Sequence, residues 1–219
     1  MNNKIVIIDY GIGNILSVKQ GFQKIGANVI VSSNIKIIET ATHIVLPGVG
    51  AYENAMNALN QLKLTDVVIK IANKGVPLLG ICLGMQMLLD ESHEFGITKG
   101  LGLIPGRVEN FPLSILENEP IKVPQINWHE LVPNQSNNNW QNSILSNQKQ
   151  SDSVYFVHSF VANPSHEKHK LAEYMCGGNR ITAVIEKDNV MGCQFHPEKS
   201  GTTGLNICLL YTSPSPRDS

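Results

Sequence analysis

Apolar residues follow two different patterns along the chain, and the change comes near residue 100. In the first part, short continuous apolar runs alternate with longer stretches in which apolar residues recur at helical spacing. The runs predict buried parallel strands at 4–8, 28–32, 43–46 and 76–81. The stretches between them predict helices at about 14–25 and 52–73 and a helix start at 84–91. This alternation is typical of an α/β fold with helices on both faces of a parallel sheet.

In the second part, short apolar runs follow one another, with turns rather than helical stretches between them. They predict strands at 101–108, 121–123, 154–157, 171–176, 181–186 and 190–195. Asp188 and Asn189 fit a hairpin turn between the last two. The polar, Asn-rich stretch 133–152 is interpreted as a surface excursion without assigned structure. The predicted fold class is therefore α/β, with a mostly parallel central sheet and an antiparallel C-terminal part.

The composition excludes several classes of partner. A length of 219 residues fits one large domain or two small ones. With 17 Lys and Arg against 18 Asp and Glu, the chain lacks the basic excess that nucleic-acid binding needs. No apolar run approaches the roughly 20 residues of a membrane-spanning helix, and the N-terminal apolar segment is too short for a signal peptide. We therefore expect a cytoplasmic protein that binds neither nucleic acid nor a membrane.

The four cysteines are expected to be free thiols in a reducing compartment. No two of them form a Cys-x-x-Cys pair, and none shows zinc-type spacing with a histidine, so no metal site is predicted. The turn from Gly11 to Gly13 lacks the third glycine of a dinucleotide-binding fingerprint, so no cofactor is predicted either.

One of these cysteines, Cys82, has a context typical of a nucleophile. The sequence Gly80-Ile-Cys82-Leu-Gly84 joins the end of a predicted strand to the start of a predicted helix, as a nucleophile elbow does. A side chain at either glycine position would collide with the neighbouring strand or helix. The alternative is a buried, unreactive cysteine in a glycine-rich strand end.

A base and its orienting partner follow the last predicted strand. His196 and Glu198 are two residues apart, so their side chains share a face in extended backbone. Glu198 can then accept a hydrogen bond from the imidazole and hold its tautomer. The N–H groups that stabilise an oxyanion are predicted at Leu83 and, on the loop after the third strand, at Val49 or Gly50. That loop could also be an ordinary strand-to-helix turn.

These motifs together resemble the class I glutamine amidotransferase family. The elbow continues as Met85-Gln86, and the second motif reads Gln-Phe-His-Pro-Glu-Lys over 194–199. Within the family, the opening Asp-Tyr-Gly-Ile-Gly-Asn over 9–14, the loop 47–51 and Met85 are similar to the glutaminase subunits of imidazole glycerol phosphate synthases. The resemblance covers about residues 3–207 and implies one flavodoxin-like glutamine amidotransferase domain over 1–207.

The resemblance implies that Cys82, His196 and Glu198 hydrolyse the side-chain amide of glutamine. It implies a heterodimer in which ammonia passes to a (β/α)8-barrel cyclase that makes imidazole glycerol phosphate and AICAR in histidine biosynthesis. It also assigns the glutamine pocket to Gln86, Glu94, His158, Ser159 and Phe160. The residues expected to face the partner are Asn14, Gln125 and Trp128, although Asn14 could instead cap a helix.

Two segments depart from the family pattern. Residues 123–130 differ at Gln125, Asn127 and His129 from the motif that is usual in the histidine enzyme. This leaves open a related branch that supplies ammonia for amidination of nonulosonic or uronic sugars in surface-polysaccharide synthesis. A cysteine hydrolase and a non-catalytic glutamine-binding domain are further alternatives. Residues 208–219 carry two Ser-Pro pairs and no helical period, and they resemble translated sequencing-adapter sequence. We therefore expect a non-native tail over 208–219 and no closing helix.

Overall fold

A mixed eight-stranded sheet is the largest feature of the computed structural model, which describes residues 4–116, 120–136, 139–149 and 151–213. The strands in chain order are β1 (Lys4–Ile8), β2 (Asn28–Ser32), β3 (His43–Gly48), β4 (Leu78–Cys82), β5 (Glu91–Ser92), β6 (Thr98–Lys99), β7 (Gly106–Asn110), β8 (Gln125–Glu130), β9 (Val132–Pro133), β10 (Ser153–His158), β11 (Phe160–Pro164), β12 (Lys170–Cys176), β13 (Asn179–Lys187) and β14 (Val190–Cys193). The order in the large sheet is β2-β1-β3-β4-β14-β13-β12-β9.

The parallel and antiparallel parts of this sheet meet at β14. Neighbouring strands from β2 through β1, β3 and β4 to β14 are parallel. The pairs β14–β13, β13–β12 and β12–β9 are antiparallel. Lys187 pairs with Val190, so Asp188 and Asn189 form the predicted hairpin turn. The prediction of an α/β fold with a mostly parallel sheet and an antiparallel C-terminal part is confirmed.

Helices cover both faces of the sheet, because each sheet face presents continuous apolar side chains. The helices are α1 (Ile15–Lys24), α2 (Ile35–Ile38), α3 (Tyr52–Gln61), α4 (Thr65–Asn73), α5 (Leu83–Met87) and α6 (Gly201–Thr212). On one face, buried Tyr52 and Leu59 of α3 pack with β-strand residues such as Ile44. On the other face, Phe22 of α1 and Tyr211 of α6 belong to a second apolar cluster. No helix within the described ranges is long and apolar enough to cross a membrane.

The predicted helix at 52–73 is divided into two, which corrects the sequence interpretation. Lys63 has φ 55° and so lies in the left-handed region, which ends α3. The chain then turns so that Leu64 is completely buried before α4 begins at Thr65. A hydrophobic pattern alone does not record this break because both halves present apolar residues to the same core.

Two smaller sheets in the described residues are not part of the hydrogen-bonded ladder of the large sheet. Strands β8 and β10 form an antiparallel pair, which we call the ribbon. Strands β11, β7, β5 and β6 form a four-stranded sheet. The strand predicted at 101–108 begins later in the structure, since β7 runs from Gly106 to Asn110. Likewise, the apolar run at 121–123 precedes a strand that begins at Gln125.

The polar stretch 133–152 is not merely a surface excursion. Trp140, Ile144 and Leu145 are buried in the second apolar cluster. The Trp140 indole N–H donates a hydrogen bond to the carbonyl of Leu171 on β12, 3.1 Å away. Three apolar residues spaced along an otherwise polar segment therefore extend the core over the antiparallel part of the sheet.

The expectation that a closing helix is absent is wrong. Helix α6 continues to Thr212, and its buried residues recur at helical spacing: Gly204, Ile207, Cys208, Tyr211 and Thr212. The Tyr211 hydroxyl lies 2.5 Å from the Ile44 carbonyl and 2.9 Å from the Pro77 carbonyl. The period is hidden in the sequence because glycine, cysteine and threonine carry part of the buried face. A non-native origin of 208–219 stays a prediction, and its residues 214–219 lie outside the described residues.

Candidate active site

Cys82 occupies a strained turn at the carboxyl end of β4. Its backbone has φ 56° and ψ −111°, a combination that a residue with a side chain rarely adopts. Helix α5 begins at the next residue, Leu83. The side chain of Cys82 is 7% exposed, at the edge of the sheet where open α/β folds place their ligands. The local geometry is that of a nucleophile elbow.

The glycines around Cys82 permit close packing of three chain segments. A Cβ atom on Gly84 would lie 1.8 Å from the carbonyl oxygen of Leu46 on β3. A Cβ atom on Gly80 would lie 2.6 Å from the carbonyl oxygen of Gly84. Both contacts are with backbone, so neither obstacle could rotate away. Gly80 and Gly84 are therefore required by the approach of β3, β4 and α5 to one another.

His196 and Glu198 form a buried pair beside the elbow. His196 Nδ1 and Glu198 Oε1 are 2.9 Å apart, and their side chains are 4% and 1% exposed. Because a carboxylate only accepts, it fixes the proton on Nδ1. Nδ1 is committed to Glu198, so Nε2 is the ring nitrogen left to exchange a proton with Cys82, with which the ring interacts. These are the features required of a general base held by a carboxylate.

The charge environment favours the protonated form of this histidine. Burial lowers the pKa of His196, but its interactions with Cys82 and Glu198 outweigh burial and raise that pKa to about 9. A proton moved from the Cys82 thiol to His196 would therefore be stabilised as the imidazolium of an ion pair. The arrangement can generate a thiolate nucleophile.

Replacing Glu198 with glutamine tests the role of its charge. An amide oxygen can still accept from Nδ1, so the ring can stay in place while the negative charge is lost. We expect the pKa of His196 to fall and turnover to decrease by roughly 10²- to 10⁴-fold. NMR titration of the His196 ring and steady-state kinetics measure the two effects. Lys199→Gln, which removes an exposed charge next to Glu198, is the control. Equal turnover in the two variants would contradict an electrostatic role for Glu198.

The same pair has a consequence for stability that depends on pH. Burial lowers the pKa of His196, but Cys82 and Glu198 more than offset burial and raise it from 6.5 to about 9. Its contribution to the free energy of unfolding is therefore fully present below pH 6.5 and is lost as the pH rises through about 9.

The ribbon contacts the candidate site through backbone groups on the edge of β10 that does not pair with β8. The carbonyl of Tyr155 accepts a hydrogen bond from the backbone N–H of His196 at 3.0 Å. The backbone N–H of Tyr155 donates to Ser200 Oγ, also at 3.0 Å. The carbonyl of Val157 lies 3.7 Å from Cys82 Sγ. The ribbon thus forms one wall of the site.

The predicted oxyanion loop runs beside the elbow. Strands β3 and β4 pair so that Gly48 lies opposite Cys82, and Val49 and Gly50 follow directly. The Tyr10 hydroxyl donates to the carbonyl of Pro47 at 2.7 Å, which supports this loop from β1. Burial, and then Cys82, raise the pKa of Tyr10, so its hydroxyl stays protonated. The roles of Leu83, Val49 and Gly50 as oxyanion donors stay predictions.

The residues assigned to the glutamine pocket lie around the carbonyl of Phe160. His158 Nδ1 is 2.8 Å from that oxygen, and His158 Nε2 is 2.8 Å from the Tyr174 hydroxyl. Burial lowers the pKa of His158 to about 4, so the ring is neutral and donates from Nδ1. Gln86 is buried, and its Nε2 also donates to Phe160 O, at 3.1 Å. Both ring nitrogens of His158 are therefore bonded within the protein, and its contact with a substrate stays a prediction.

Glu94 and Ser159 complete the assigned pocket. Glu94 Oε2 accepts a hydrogen bond from the backbone N–H of Tyr52, 3.0 Å away. Because Tyr52 is the first residue of α3, Glu94 holds the end of the loop that carries Val49 and Gly50. Ser159 lies between β10 and β11 and is partly buried. Contact of Glu94 or Ser159 with a substrate stays a prediction.

Sequence reasoning missed Gln194, which lies at the centre of the site. Its side chain is 0% exposed, its Oε1 accepts from Gln86 Nε2 at 2.9 Å, and its Nε2 lies 3.9 Å from Cys82 Sγ. The available signal was a polar residue in an apolar strand, two positions before His196. Among the described residues, no cluster of three or more His, Cys, Asp or Glu side chains could hold a metal ion.

The three residues expected to face a partner have different environments. Trp128 is 50% exposed on the ribbon and packs against Tyr155, with ring centroids 5.9 Å apart. Gln125 is buried and bonded to the Lys122 carbonyl and to His129, so it supports the ribbon instead of presenting surface. Asn14 precedes α1 but makes no side-chain capping hydrogen bond, which argues against the helix-cap alternative.

Comparison with known proteins places this site in context. The family profile described as glutamine amidotransferase class-I matches residues 6–208. The chain is 47% identical over 205 residues to the imidazole glycerol phosphate synthase subunit HisH 1 of Legionella pneumophila (strain Lens), covering 94% of this chain and 96% of that protein. It is 43% identical over 209 residues to the imidazole glycerol phosphate synthase subunit HisH of Geobacillus thermodenitrificans (strain NG80-2), covering 94% of each.

A solved structure of more distant sequence has the same fold. The structure of PurLQS from Thermotoga maritima matches with a TM-score of 0.70 and 18% identity, covering 96% of this chain and 98% of that chain. At 18% identity, this similarity supports only the shared fold. The relationship to a family rests on the family profile and on the relatives of higher sequence identity.

Proposed function

The chain belongs to the class I glutamine amidotransferase family, and from this premise we propose that it is the glutaminase subunit of an imidazole glycerol phosphate synthase. The observation that carries the chemistry is the strained Cys82 beside the buried His196–Glu198 pair. The 47% identity to a HisH subunit over 94% of the chain supports the choice of synthase. The expected location is the cytoplasm.

The geometry supports a two-step hydrolysis of glutamine. The Cys82 thiol gives its proton to His196, and the sulfur attacks the side-chain amide carbon. The C–N bond of the tetrahedral intermediate then breaks, and His196 returns the proton to the leaving nitrogen, which departs as ammonia. Water, deprotonated by His196, attacks the thioester and releases glutamate and the free thiol. Glu198 keeps the ring oriented and stabilises the imidazolium in both steps.

The proposed partner is a (β/α)8-barrel cyclase that accepts the ammonia and forms imidazole glycerol phosphate and AICAR. The ribbon is the proposed contact surface, because Ile126 and Trp128 expose apolar side chains there. The same ribbon binds the backbone of His196 through Tyr155. A partner on this surface would therefore lie close to the site where ammonia is formed.

The test combines the purified chain with the cyclase subunit encoded in the same genome. Glutamate and imidazole glycerol phosphate are measured with glutamine as the nitrogen source, and ammonium salt serves as a control for the cyclase alone. The proposal predicts equal molar formation of both products. Formation of glutamate without glutamine-dependent imidazole glycerol phosphate would contradict the proposed cyclase partner. The differing segment 123–130 would then favour a sugar-amidating partner. Absence of glutamate in every combination would contradict the glutaminase itself.

A further inference from the structure

Two buried glutamine side chains connect the pocket to the nucleophile. Gln86 on α5 and Gln194 after β14 are 108 residues apart in sequence, and their amides meet with Gln86 Nε2 2.9 Å from Gln194 Oε1. Gln86 Nε2 also lies 3.1 Å from the carbonyl oxygen of Phe160. We call this chain of amides, from Phe160 through Gln86 and Gln194 to Cys82, the amide relay.

The direction of the relay follows from its first member. A backbone carbonyl can only accept, so the Gln86 atom that faces Phe160 O must be the donating nitrogen. That nitrogen has a second hydrogen, and the Gln194 atom facing it must therefore be the accepting oxygen. The other end of the Gln194 amide is then its NH₂ group. This group lies 3.9 Å from Cys82 Sγ, at the long end for a hydrogen bond to sulfur.

We propose that Gln194 is a further functional residue of this site, donating a hydrogen bond to the Cys82 sulfur that strengthens when the sulfur is a thiolate. A donor aimed at an anion favours the charged form, whereas a neutral thiol gains little from it. Because Gln194 is completely buried, rotation to another partner would leave its amide unsatisfied. Gln86 has the linked role of fixing which end of Gln194 points at sulfur. The catalytic use of this contact rests on the proposed glutaminase function, but the contact itself does not.

Other groups also act on the sulfur and must be held constant. Two titratable groups that interact with Cys82 are His196 and Tyr10. His196 comes from the segment after β14 and Tyr10 from the segment after β1. Neither is part of the amide relay, and both residues are retained in the Gln194 variants.

The test is the pH dependence of Cys82 alkylation by iodoacetamide, a reaction that needs neither glutamine nor a partner. Mass spectrometry of the peptide that contains Cys82 separates this thiol from the other three. In Gln194→Met, which keeps the length of the side chain and removes the donor, the pH of half-maximal alkylation rate should rise by about one unit. In Gln194→Glu it should rise further, because a carboxylate would face the thiolate. Gln148→Met makes the same change in the segment over β12 and should leave the profile unchanged.

The outcomes separate this proposal from the proposed function. Unchanged alkylation profiles in both folded Gln194 variants would overturn the role of Gln194, whatever the glutaminase activity. If the variants do not fold, wild-type protein labelled with ¹⁵N in its glutamine side chains decides. The chemical shift of one Gln194 amide proton should then move downfield as the pH rises, with the same midpoint as Cys82 alkylation. A Gln194 chemical shift that does not change with pH would overturn the proposal.

Discussion

Replacing Cys82 with alanine is expected to lower glutamate formation from glutamine by at least about four orders of magnitude. Alanine lacks the nucleophile but tolerates the φ of 56° about as well as cysteine does, so the elbow should keep its shape. Without the sulfur no thioester forms, and His196 has no thiol to deprotonate. The measurement is glutamate production with the partner present, together with circular dichroism and thermal unfolding of the variant.

A matched variant separates loss of the nucleophile from loss of a buried thiol. Cys176 is also free and buried, but it ends β12 in the antiparallel part of the sheet. Cys176→Ala should therefore keep nearly full activity and lose only the packing of one sulfur atom. Substantial turnover by Cys82→Ala, or equal losses in the two variants, would refute covalent catalysis at Cys82.

The parts of the candidate site that depend on short sequence spacing could be predicted from the sequence. The glycines at 80 and 84 flank Cys82 two residues on either side, and His196 and Glu198 are two residues apart. Each relation is contained in five residues or fewer, so strand and turn geometry is enough to place the side chains. The parallel strands were found for a related reason, since buried parallel strands appear as unbroken apolar runs.

Relations between distant residues could not be obtained in the same way. Gln194 acquires its position from Gln86, and Glu94 holds Tyr52 across 42 residues. Nothing near either residue in the sequence indicates which amide or backbone N–H it will meet. The division of the predicted long helix at Lys63 likewise depends on the burial of Leu64 against the core. Tertiary packing decides such features, and pattern analysis of one sequence does not contain it.

Gly84→Ala is expected to be the most destabilising single-methyl substitution near the site. The added Cβ would lie 1.8 Å from Leu46 O, and this oxygen belongs to a central strand that cannot move aside. Overpacking usually costs about 1–3 kcal/mol, and a clash with backbone should exceed the upper figure. The loss would be a large part of the roughly 5–15 kcal/mol that stabilises a typical domain. Urea unfolding measures the free energy, and glutamate production measures the effect on the elbow.

Gly26→Ala isolates the alternative explanation, that glycine is needed for backbone conformation and not for space. Gly26 has φ +79°, but a Cβ there would meet nothing within 4 Å. At Gly84 the φ is not in the left-handed region, but an added Cβ would clash with backbone. Gly26→Ala should therefore cost about 1–2 kcal/mol through backbone strain alone and leave catalysis intact. If Gly84→Ala proved no more destabilising than Gly26→Ala, the close approach of β3 to α5 would not be what holds Cys82 in its strained conformation. A larger loss of unfolding free energy in Gly84→Ala, together with loss of turnover, would show that the close packing of β3 and α5 holds Cys82 in its strained conformation.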